Sequence, residues 1–403
     1  MPTHSRHHAD AFAALAPLRA RLAAADDALL RDQIAVAQIP APSGDEADRA
    51  AWVRDRFAAL GLADVRIDEA GNVIGRRPGR RADEPVVVCA HLDTVFSRET
   101  PHAVTQDGRR FRGPSITDNS RGLAAMVALA AAIDPRDSPL ARPVEFVGTT
   151  GEEGNGDLRG VKHYFARAAA RPAAMIALDG AGDQRIIHRA LGTRRYRVTF
   201  DGPGGHSWAA FGAPNAIHAA ASATARLSAI PLGTNPRTTL SVGRIGGGIS
   251  VNSIPDHAWL EIDVRSEHTR ALDQMEAEVH RAVAAAVHEE NARRARDTRA
   301  LVAHIVRIGD RPGGETDPAH PLVQAAAAIT ILGGGEPELA IASTDANVPI
   351  GLGIPAIAIG AGGQGGDAHS SSEWFENVHG TRGVARALAI VLAAAQDPPG
   401  GSA

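Results

Sequence analysis

Three short segments of this chain are apolar almost without interruption. They are "VVVCA" at 86–90, "VEFVG" at 144–148 and "AMIAL" at 174–178, and alanine-rich or amphipathic stretches lie between them. A strand that is apolar on both faces has to be covered on both sides, as in a mostly parallel sheet with helices against each face. The sequence therefore predicts an α/β domain with a central, mostly parallel sheet covered by helices.

Other elements of this domain follow from apolar spacing and turn signals. Helices are predicted at 11–35 and 44–62, the second ended by Gly61, and a hairpin is predicted at 63–77 with its turn at "AGN". The histidine-rich "HSRHH" at 4–8 could bind a metal, but we interpret it as a mobile terminus.

The pattern changes after Gly192. Four segments that follow alternate apolar and polar residues, as half-exposed strands do, and two helical segments lie among them. Their order, β-α-β-β-α-β, predicts a ferredoxin-like α+β unit. We therefore predict one discontinuous domain made of 1–192 and 307–403, with a smaller domain inserted at 193–306.

Net charge and cysteine content exclude several classes of function. The 403 residues carry a net charge of −4, so the chain offers no basic field to nucleic acid or to an anionic membrane. Cys89 is the single cysteine, which rules out an intrachain disulfide and is compatible with a reducing compartment. No run approaches the roughly 18 apolar residues of a membrane helix, and the N-terminus lacks the apolar core of a signal peptide. We expect a soluble, cytoplasmic protein without nucleic-acid or membrane partners.

Acids and histidines recur where the apolar strands end, which is the edge at which open α/β sheets bind ligands. So many neighbouring carboxylates are costly unless a cation compensates them, and two divalent ions roughly 3.5–4 Å apart would do so. Imidazole and carboxylate ligands without cysteine suit zinc, cobalt or manganese. The candidate residues are His91, Asp93, Asp118, Glu152, Glu153, Asp179 and His369.

Two local spacings indicate how these side chains could divide the chemistry. Glu152 and Glu153 are adjacent and flanked by glycines, so one can bind a metal while the other faces a metal-bound water and takes its proton. His91 and Asp93 are two residues apart at a strand end and share a face. Asp93 could therefore hold the ring nitrogen of His91 that is turned away from the metal.

Eight short motifs then occur in the order and spacing of a known family. They are "HLDTVF", "GPSITDNSRG", "TTGEEG", "ALDG", "GPGGHS", "SVNSIPD", "DVRS" and "AHSSSEW". Over roughly residues 35–395 the chain resembles the M20 family of di-metal peptidases and amidohydrolases. The resemblance implies a catalytic domain interrupted by a dimerisation lid, and therefore a homodimer.

The resemblance also implies a role for each candidate residue. Carried over to this sequence, it makes Glu152 the general base and Asp93 the partner of His91. It further implies a cis peptide bond between Asp118 and Asn119. The implied metal ligands are His91 and Asp179 for one ion, Glu153 and His369 for the other, and Asp118 as the bridge between them.

In the predicted insert the resemblance points to three more residues. His206, in "GPGGHS", is similar to a histidine that reaches the partner subunit's site and stabilises the oxyanion. Asn252 and Arg265 are similar to residues that grip the substrate, and arginine suits bidentate binding of a carboxylate. Each has an alternative: a solvent-exposed loop histidine, an ordinary turn residue and a surface ion pair.

The resulting hypothesis is a hydrolase of a peptide or amide bond, in which Glu152 deprotonates a metal-bridging water. At the position of Asp179 the family tends to have aspartate in aminopeptidases and dipeptidases, and glutamate in carboxypeptidases and deacylases. The sequence therefore favours a di- or tripeptide with a free amino end, with an N-acyl-amino-acid deacylase or a carboxypeptidase as the alternative. A protein of another functional class, which binds a metal or a peptide without catalysis, remains an alternative. Against it, the residues implied as general base and metal ligands are all present.

Overall fold

The structure is a computed structural model that describes residues 13, 15–134 and 140–396. The histidine-rich segment at 4–8 and the first residues of the helix predicted at 11–35 lie outside these described residues. Two compact units are present, one made of Met1–Ala190 with Glu315–Ala403 and the other of Leu191–Gly314.

Helices and strands are numbered in chain order. The helices are α1 (Ala16–Ala24), α2 (Asp26–Ala37), α3 (Ala47–Ala59), α4 (Ser120–Ala132), α5 (Arg159–Arg167), α6 (Ala216–Ser228), α7 (Thr269–Ala292), α8 (Pro321–Leu332), α9 (Asn347–Gly351) and α10 (Arg382–Ala394). The strands are β1 (Ala63–Ile67), β2 (Val73–Arg77), β3 (Val86–His91), β4 (Thr105–Asp107), β5 (Arg110–Arg112), β6 (Val144–Thr149), β7 (Ala174–Leu178), β8 (Arg185–Ala190), β9 (Gly192–Asp201), β10 (Gly205–His206), β11 (Thr238–Gly247), β12 (Ser253–Ile254), β13 (His257–Ser266), β14 (Val302–Arg311), β15 (Gly314–Glu315), β16 (Glu338–Ala342), β17 (Ala356–Ile359), β18 (Gln364–Gly366) and β19 (Trp374–Glu376).

The larger unit is built on a nine-stranded mixed sheet. Its strand order is β1-β2-β6-β3-β7-β17-β8-β15, and β16 pairs with β8. The central neighbours β6, β3, β7 and β17 are parallel, and both β3 and β7 are buried along their whole length. The mostly parallel central sheet predicted from the apolar segments is therefore confirmed.

Alternate residues of β3 enter two separate cores, one on each face of the sheet. Val86 and Val88 pack in the cluster that includes α4, α8 and α10, whereas Val87 and Cys89 pack in the cluster that includes α5 and α9. This two-sided burial is the physical reason why the strand contains no polar residue before His91.

The smaller unit has a four-stranded antiparallel sheet in the order β11-β13-β9-β14. Along β9 and β13 buried and half-buried residues alternate, and the buried ones, such as Val198 and Leu260, pack with residues of α6 and α7. Helices on one face and a polar opposite face are what the alternating pattern predicted, and the β-α-β-β-α-β order is the ferredoxin-like arrangement.

Several elements differ from the expectation. The helix predicted at 11–35 is divided at Ala25 into α1 and α2, and Asp26 and Asp27 occupy the first turn of α2, where acidic side chains are favourable. The sequence also did not predict the small sheet β18-β19-β5-β4, because its strands are three residues long and not apolar. In the described part of the chain, no helix has the length and apolar character needed to cross a bilayer.

We expect Phe146→Ala to lower the free energy of unfolding by about 3–5 kcal/mol, because the ring is fully buried and its loss leaves a cavity beside Phe57. Urea denaturation followed by circular dichroism would measure the change. Phe211→Ala is the matched control, since its ring is 88% exposed and the loss should stay within about 0.5 kcal/mol. Similar losses in both variants would contradict the placement of Phe146 in the core.

Candidate metal centre

Neighbouring parallel strands bring the acids and histidines of the larger unit together. His91 is the last residue of β3, Asp179 follows β7, and Glu152 and Glu153 follow β6. Because β6, β3 and β7 are adjacent and parallel, their carboxyl ends lie at one edge of the sheet. The edge at which the sequence predicted a ligand site is therefore the edge on which these side chains meet.

Asp118 lies between two imidazole rings. Its Oδ1 is 3.0 Å from Nε2 of His91, and its Oδ2 is 3.0 Å from Nε2 of His369. Nε2 of His369 is also 2.9 Å from Oε1 of Glu153, and Nε2 of His91 is 4.0 Å from Oδ1 of Asp179. Asp118 thus turns one carboxylate oxygen towards each half of the cluster.

Burial and the charge of Asp118 raise the pKa of the two carboxylates beside it. Burial, reinforced by the negative charge of Asp118, raises the pKa of Asp179 to about 7, and the same two causes raise the pKa of Glu153. Burial alone would also raise the pKa of Asp118, but hydrogen bonds with His369 and His91 hold it below its usual range. The hydrogen bond to Asp118 in turn raises the pKa of His369 to about 9. The cluster is therefore a place where positive charge is strongly favoured.

The donor set fits divalent metal ions. The ligand atoms of His91, Asp118 and Glu153 all lie within 4.8 Å of one another. Within residues 15–134 and 140–396, no arginine or lysine forms an ion pair with Asp118, Glu153 or Asp179, and their short contacts with basic groups are those with the two imidazoles. Two imidazoles and three carboxylates without sulfur match the ligands of zinc, cobalt or manganese.

Asp93 holds the turn that carries the paired glutamates. Its Oδ1 accepts the backbone N–H of Glu152 and its Oδ2 that of Glu153, each at 2.9 Å, and the Ser43 hydroxyl donates to Oδ2 at 2.5 Å. Burial opposes ionisation of Asp93, yet hydrogen bonds from His91 and Ser43 lower its pKa to about 2. The side chain is thus an anion that fixes the direction of both glutamates.

The expected contact between Asp93 and His91 has two parts. Nδ1 of His91 lies 3.0 Å from the backbone carbonyl oxygen of Asp93 and 3.5 Å from its Oδ1. The carbonyl is the closer acceptor, so it orients the imidazole, and the carboxylate is shared between the ring and the glutamate turn. The His-x-Asp spacing indicated the contact between the Asp93 carboxylate and the imidazole, and not the closer contact with the Asp93 carbonyl.

Glu46 supports the same turn and was missed by sequence reasoning. Its Oε1 accepts the backbone N–H groups of Gly44 and Gly151, and its Oε2 pairs with Arg159 at 2.5 Å. Glu46 and Ser43 precede α3, where serine and glutamate are ordinary helix-start residues. The sequence therefore contains no signal that separates them from a simple helix start.

Asn119 connects the Asp118 turn to the end of β7. Its Oδ1 accepts the backbone N–H of Gly122, which caps α4, and that of Gly180, while its Nδ2 donates to the carbonyl of Leu178. The peptide bond between Asp118 and Asn119 is cis, which confirms what the resemblance implied. Asp118 is therefore placed beside the strand that precedes Asp179.

Two of the three residues expected to contact substrate share one ribbon in the smaller unit. His206 is in β10, which pairs with β12, and the backbone N–H of Ser207 donates to the carbonyl of Asn252 at 3.0 Å. His206 and Asn252 are both exposed. Nδ1 of His206 accepts the backbone N–H of Trp208 at 3.2 Å.

Arg265 is placed differently. It lies near the end of β13, opposite Thr193 of β9 and Thr239 of β11, and away from the His206 ribbon. Its Nε donates to Oδ2 of Asp263 at 2.8 Å, and the side chain is partly exposed. This contact is the surface ion pair named above as the alternative, so the substrate-binding role of Arg265 stays a prediction.

Comparison with known proteins agrees with this centre. The sequence profile of Peptidase family M20/M25/M40 matches residues 87–396. The chain belongs to this family. The M20 match begins at β3 and runs to the end of α10, so it includes every residue of the cluster described above.

The relatives of this M20 chain have several activities. It is 26% identical over 257 residues to a succinyl-diaminopimelate desuccinylase of Corynebacterium glutamicum, covering 61% of this chain and 69% of that protein. The crystal structure of aminopeptidase PepT from Bacillus cereus superposes with a TM-score of 0.72 and 22% identity, covering 92% and 99% of the two chains. A dinuclear metal-binding M20 peptidase from Bacillus subtilis gives a TM-score of 0.66 and 18% identity, covering 92% and 98%. The likeness to the two solved structures establishes the fold.

We expect Asp93→Asn to weaken zinc binding by about 10–100-fold, because the new amide group would face a backbone N–H in place of an acceptor oxygen. Competition with a chelating dye would measure the affinity. Asp107→Asn is the matched control, since that carboxylate is 79% exposed in the β4–β5 hairpin. An unchanged affinity in Asp93→Asn, or an equal loss in the control, would contradict the proposed task of Asp93.

Proposed function

We propose that this M20-family hydrolase cleaves the peptide bond after a free amino end in a di- or tripeptide, using two divalent ions of the zinc type. The observation that carries the proposal is the position of Asp118, whose two oxygens each lie 3.0 Å from a different imidazole. A carboxylate placed in this way can bridge two ions, with one histidine beside each of its oxygens.

The same distances support an assignment of the ligands. His91 and Asp179 would hold one ion, His369 and Glu153 would hold the other, and Asp118 would be shared between them. When bound, the two ions polarise the scissile carbonyl and lower the pKa of water, so that it can lose a proton near neutral pH and attack the carbonyl. The two short contacts of His369 and the separate position of Asp179 near His91 support this division.

Glu152 is the general base of the proposed reaction. It follows β6 next to Glu153, its side chain is buried, and its backbone N–H is fixed by Asp93. A carboxylate beside the attacking water accepts a proton and then delivers it to the leaving nitrogen, so that the amine departs as a neutral group. The turn that holds Glu153 against the ions therefore also sets the position of Glu152.

The preference for a free amino end depends on Asp179. Aspartate at this position is typical of the aminopeptidases and dipeptidases that the chain resembles, and the fold of an aminopeptidase superposes on 92% of the chain. Removal of an acyl group from an N-acyl amino acid is the second candidate, because a desuccinylase is 26% identical to this chain. Both reactions use the same ions, base and ligands.

A substrate panel tests these proposals together. We expect zinc-, cobalt- or manganese-loaded protein to cleave free-amino dipeptides and tripeptides and to leave N-acetyl and N-succinyl amino acids intact. Glu152→Gln should lower kcat by about 10²–10⁴-fold with metal content unchanged, because only the proton acceptor is lost. Glu336→Gln, an exposed glutamate of the same unit, is the control and should retain full activity.

Each other outcome of the panel has a distinct meaning. Cleavage of only the acylated substrates would keep the mechanism and replace the substrate. Activity that survives in Glu152→Gln would show that another group is the base. Metal binding without turnover of any substrate would favour the non-catalytic metal- or peptide-binding protein.

We also propose that the chain acts as a homodimer, in which the partner subunit's His206 donates a hydrogen bond to the oxyanion of the tetrahedral intermediate. The exposure of His206 supports this, together with the orientation of its ring, in which Nδ1 already accepts a backbone N–H.

Mixing two inactive variants tests this arrangement. His206→Ala and Glu152→Ala chains, coexpressed with different tags, should each be nearly inactive alone. A hybrid dimer contains one site with both an intact Glu152 and the partner subunit's His206, so random mixing should restore about a quarter of wild-type activity. If His206 acts within its own subunit, or has no role in catalysis, the mixture will be no more active than its components.

A further inference from the structure

Glu373 is a fully buried carboxylate that binds the whole turn before Asp118. Its Oε1 accepts the backbone N–H of Thr117 at 2.7 Å and that of Asp118 at 2.9 Å, and also the Thr117 hydroxyl. Its Oε2 accepts the backbone N–H of Ser115 at 3.1 Å, and its own carbonyl accepts that of Gly113 at 3.0 Å. One residue therefore satisfies four backbone N–H groups of the turn.

The turn needs such support from outside. Ser115 has a φ of +57°, in the left-handed region that residues other than glycine rarely adopt, and it is completely buried. Buried backbone N–H groups have to be paired, and only Glu373 supplies acceptors for those of Ser115, Thr117 and Asp118 among the contacts of the described residues. The position of the Asp118 carboxylate follows from this support.

A second buried residue holds the opposite side of the turn. The guanidinium of Arg49 donates to the Ser115 hydroxyl at 2.6 Å and to the carbonyl of Leu92 at 3.1 Å. Leu92 directly follows His91, so Arg49 connects the turn to the strand that carries His91. Glu373, four residues after His369, connects the same turn to the segment that carries His369.

The two histidines, His91 and His369, differ in how many other contacts fix their positions. The His91 side chain is 3% exposed at the end of a buried strand, whereas that of His369 is 52% exposed in a loop. His369 also has a φ of +63°. The backbone N–H of Glu373 donates to the carbonyl of Ser370, so Glu373 fixes this loop as well as the turn. His369 therefore depends on Glu373, and His91 does not.

We propose that Glu373 is a positioning residue that sets the spacing between Asp118 and His369 and so controls the affinity of the ion held by His369 and Glu153. The proposal rests on the two-ion centre of the proposed function. It predicts an unequal effect: loss of Glu373 releases two ligands of the ion on the His369 side, Asp118 and His369, but only Asp118 on the His91 side, where the ion stays bound.

Two substitutions separate positioning from general folding. Glu373→Ala removes the side-chain acceptors that Glu373 offers to the turn. We expect it to weaken binding of the ion on the His369 side, the second equivalent, by about 100-fold. Glu373→Gln keeps an oxygen for Thr117 and Asp118 and loses only the acceptor for Ser115, so it should restore most of the affinity, to within about tenfold of wild type. Glu376→Gln is the matched control, because Glu376 pairs with Arg109 and Arg110 at the surface and not with the turn.

The experiment is a Co²⁺ titration of the full-length, chelator-stripped protein, followed by the visible absorption of the bound cobalt. We expect wild type and Glu376→Gln each to bind two equivalents of Co²⁺ tightly. Glu373→Ala should bind one equivalent tightly and the second weakly, and Glu373→Gln should regain most of the affinity for the second equivalent. If Glu373→Ala does not fold, Glu373→Gln alone still has to show a selective loss at the second equivalent.

Three results would overturn the proposal. Unchanged binding of both equivalents in the Glu373 variants would remove the role of Glu373 and leave the proposed function intact. An equal loss of both equivalents would indicate a general structural role. Fewer than two equivalents in wild type would contradict the two-ion centre itself, and the proposed function would fail with it.

Discussion

Repulsion among three carboxylates at one edge of the central sheet is the constraint that the rest of the larger unit has to satisfy. Asp118, Glu153 and Asp179 converge there because the strands or turns that carry them are held side by side. Burial and mutual charge disfavour ionisation of Glu153 and Asp179, so the arrangement is stable only with positive charge between the carboxylates. Two imidazoles supply part of this charge, and divalent ions would supply the remainder.

A second set of buried acids surrounds the first and binds backbone instead of metal. Asp93 and Glu46 accept N–H groups of the glutamate turn, and Glu373 accepts those of the Asp118 turn. Arg159 and Arg49 supply positive charge to this outer set. The inner acids can therefore be aimed at the ions because the outer acids fix the peptide groups on either side of them. The positions of the inner carboxylates are thus set by the turns that carry them and by the buried acids that bind those turns.

The division into two units separates the proposed chemistry from the proposed choice of substrate. Every proposed ligand and the proposed general base lie in the larger unit, whereas His206 and Asn252 lie in an exposed ribbon of the smaller one. The chain is similar in fold to an aminopeptidase and in sequence to a desuccinylase, and one fold can carry several activities when the residues that contact substrate vary. Arg265 pairs with Asp263 at the surface, so its role in binding a carboxylate of the substrate remains a prediction.

Local sequence was sufficient for the central sheet, for the ferredoxin-like order of the smaller unit and for the identity of the clustered acids and histidines. Strand burial appears as unbroken apolar residues, and the ends of β3, β6 and β7 appear as the first acid or histidine after them. Asp118, which precedes α4, and His369, between β18 and β19, follow no apolar strand and do not obey this rule. The break at Ala25 and the anchoring by Asp93, Glu46, Arg49 and Glu373 came only with the structure. These anchors act on peptide groups that are distant along the chain, 59 residues away for Asp93 and Glu152 and 255 for Glu373 and Asp118. A hydrogen bond to a backbone N–H leaves no mark in the sequence of the residue that donates it, so only the folded structure reveals which acids bind peptide groups.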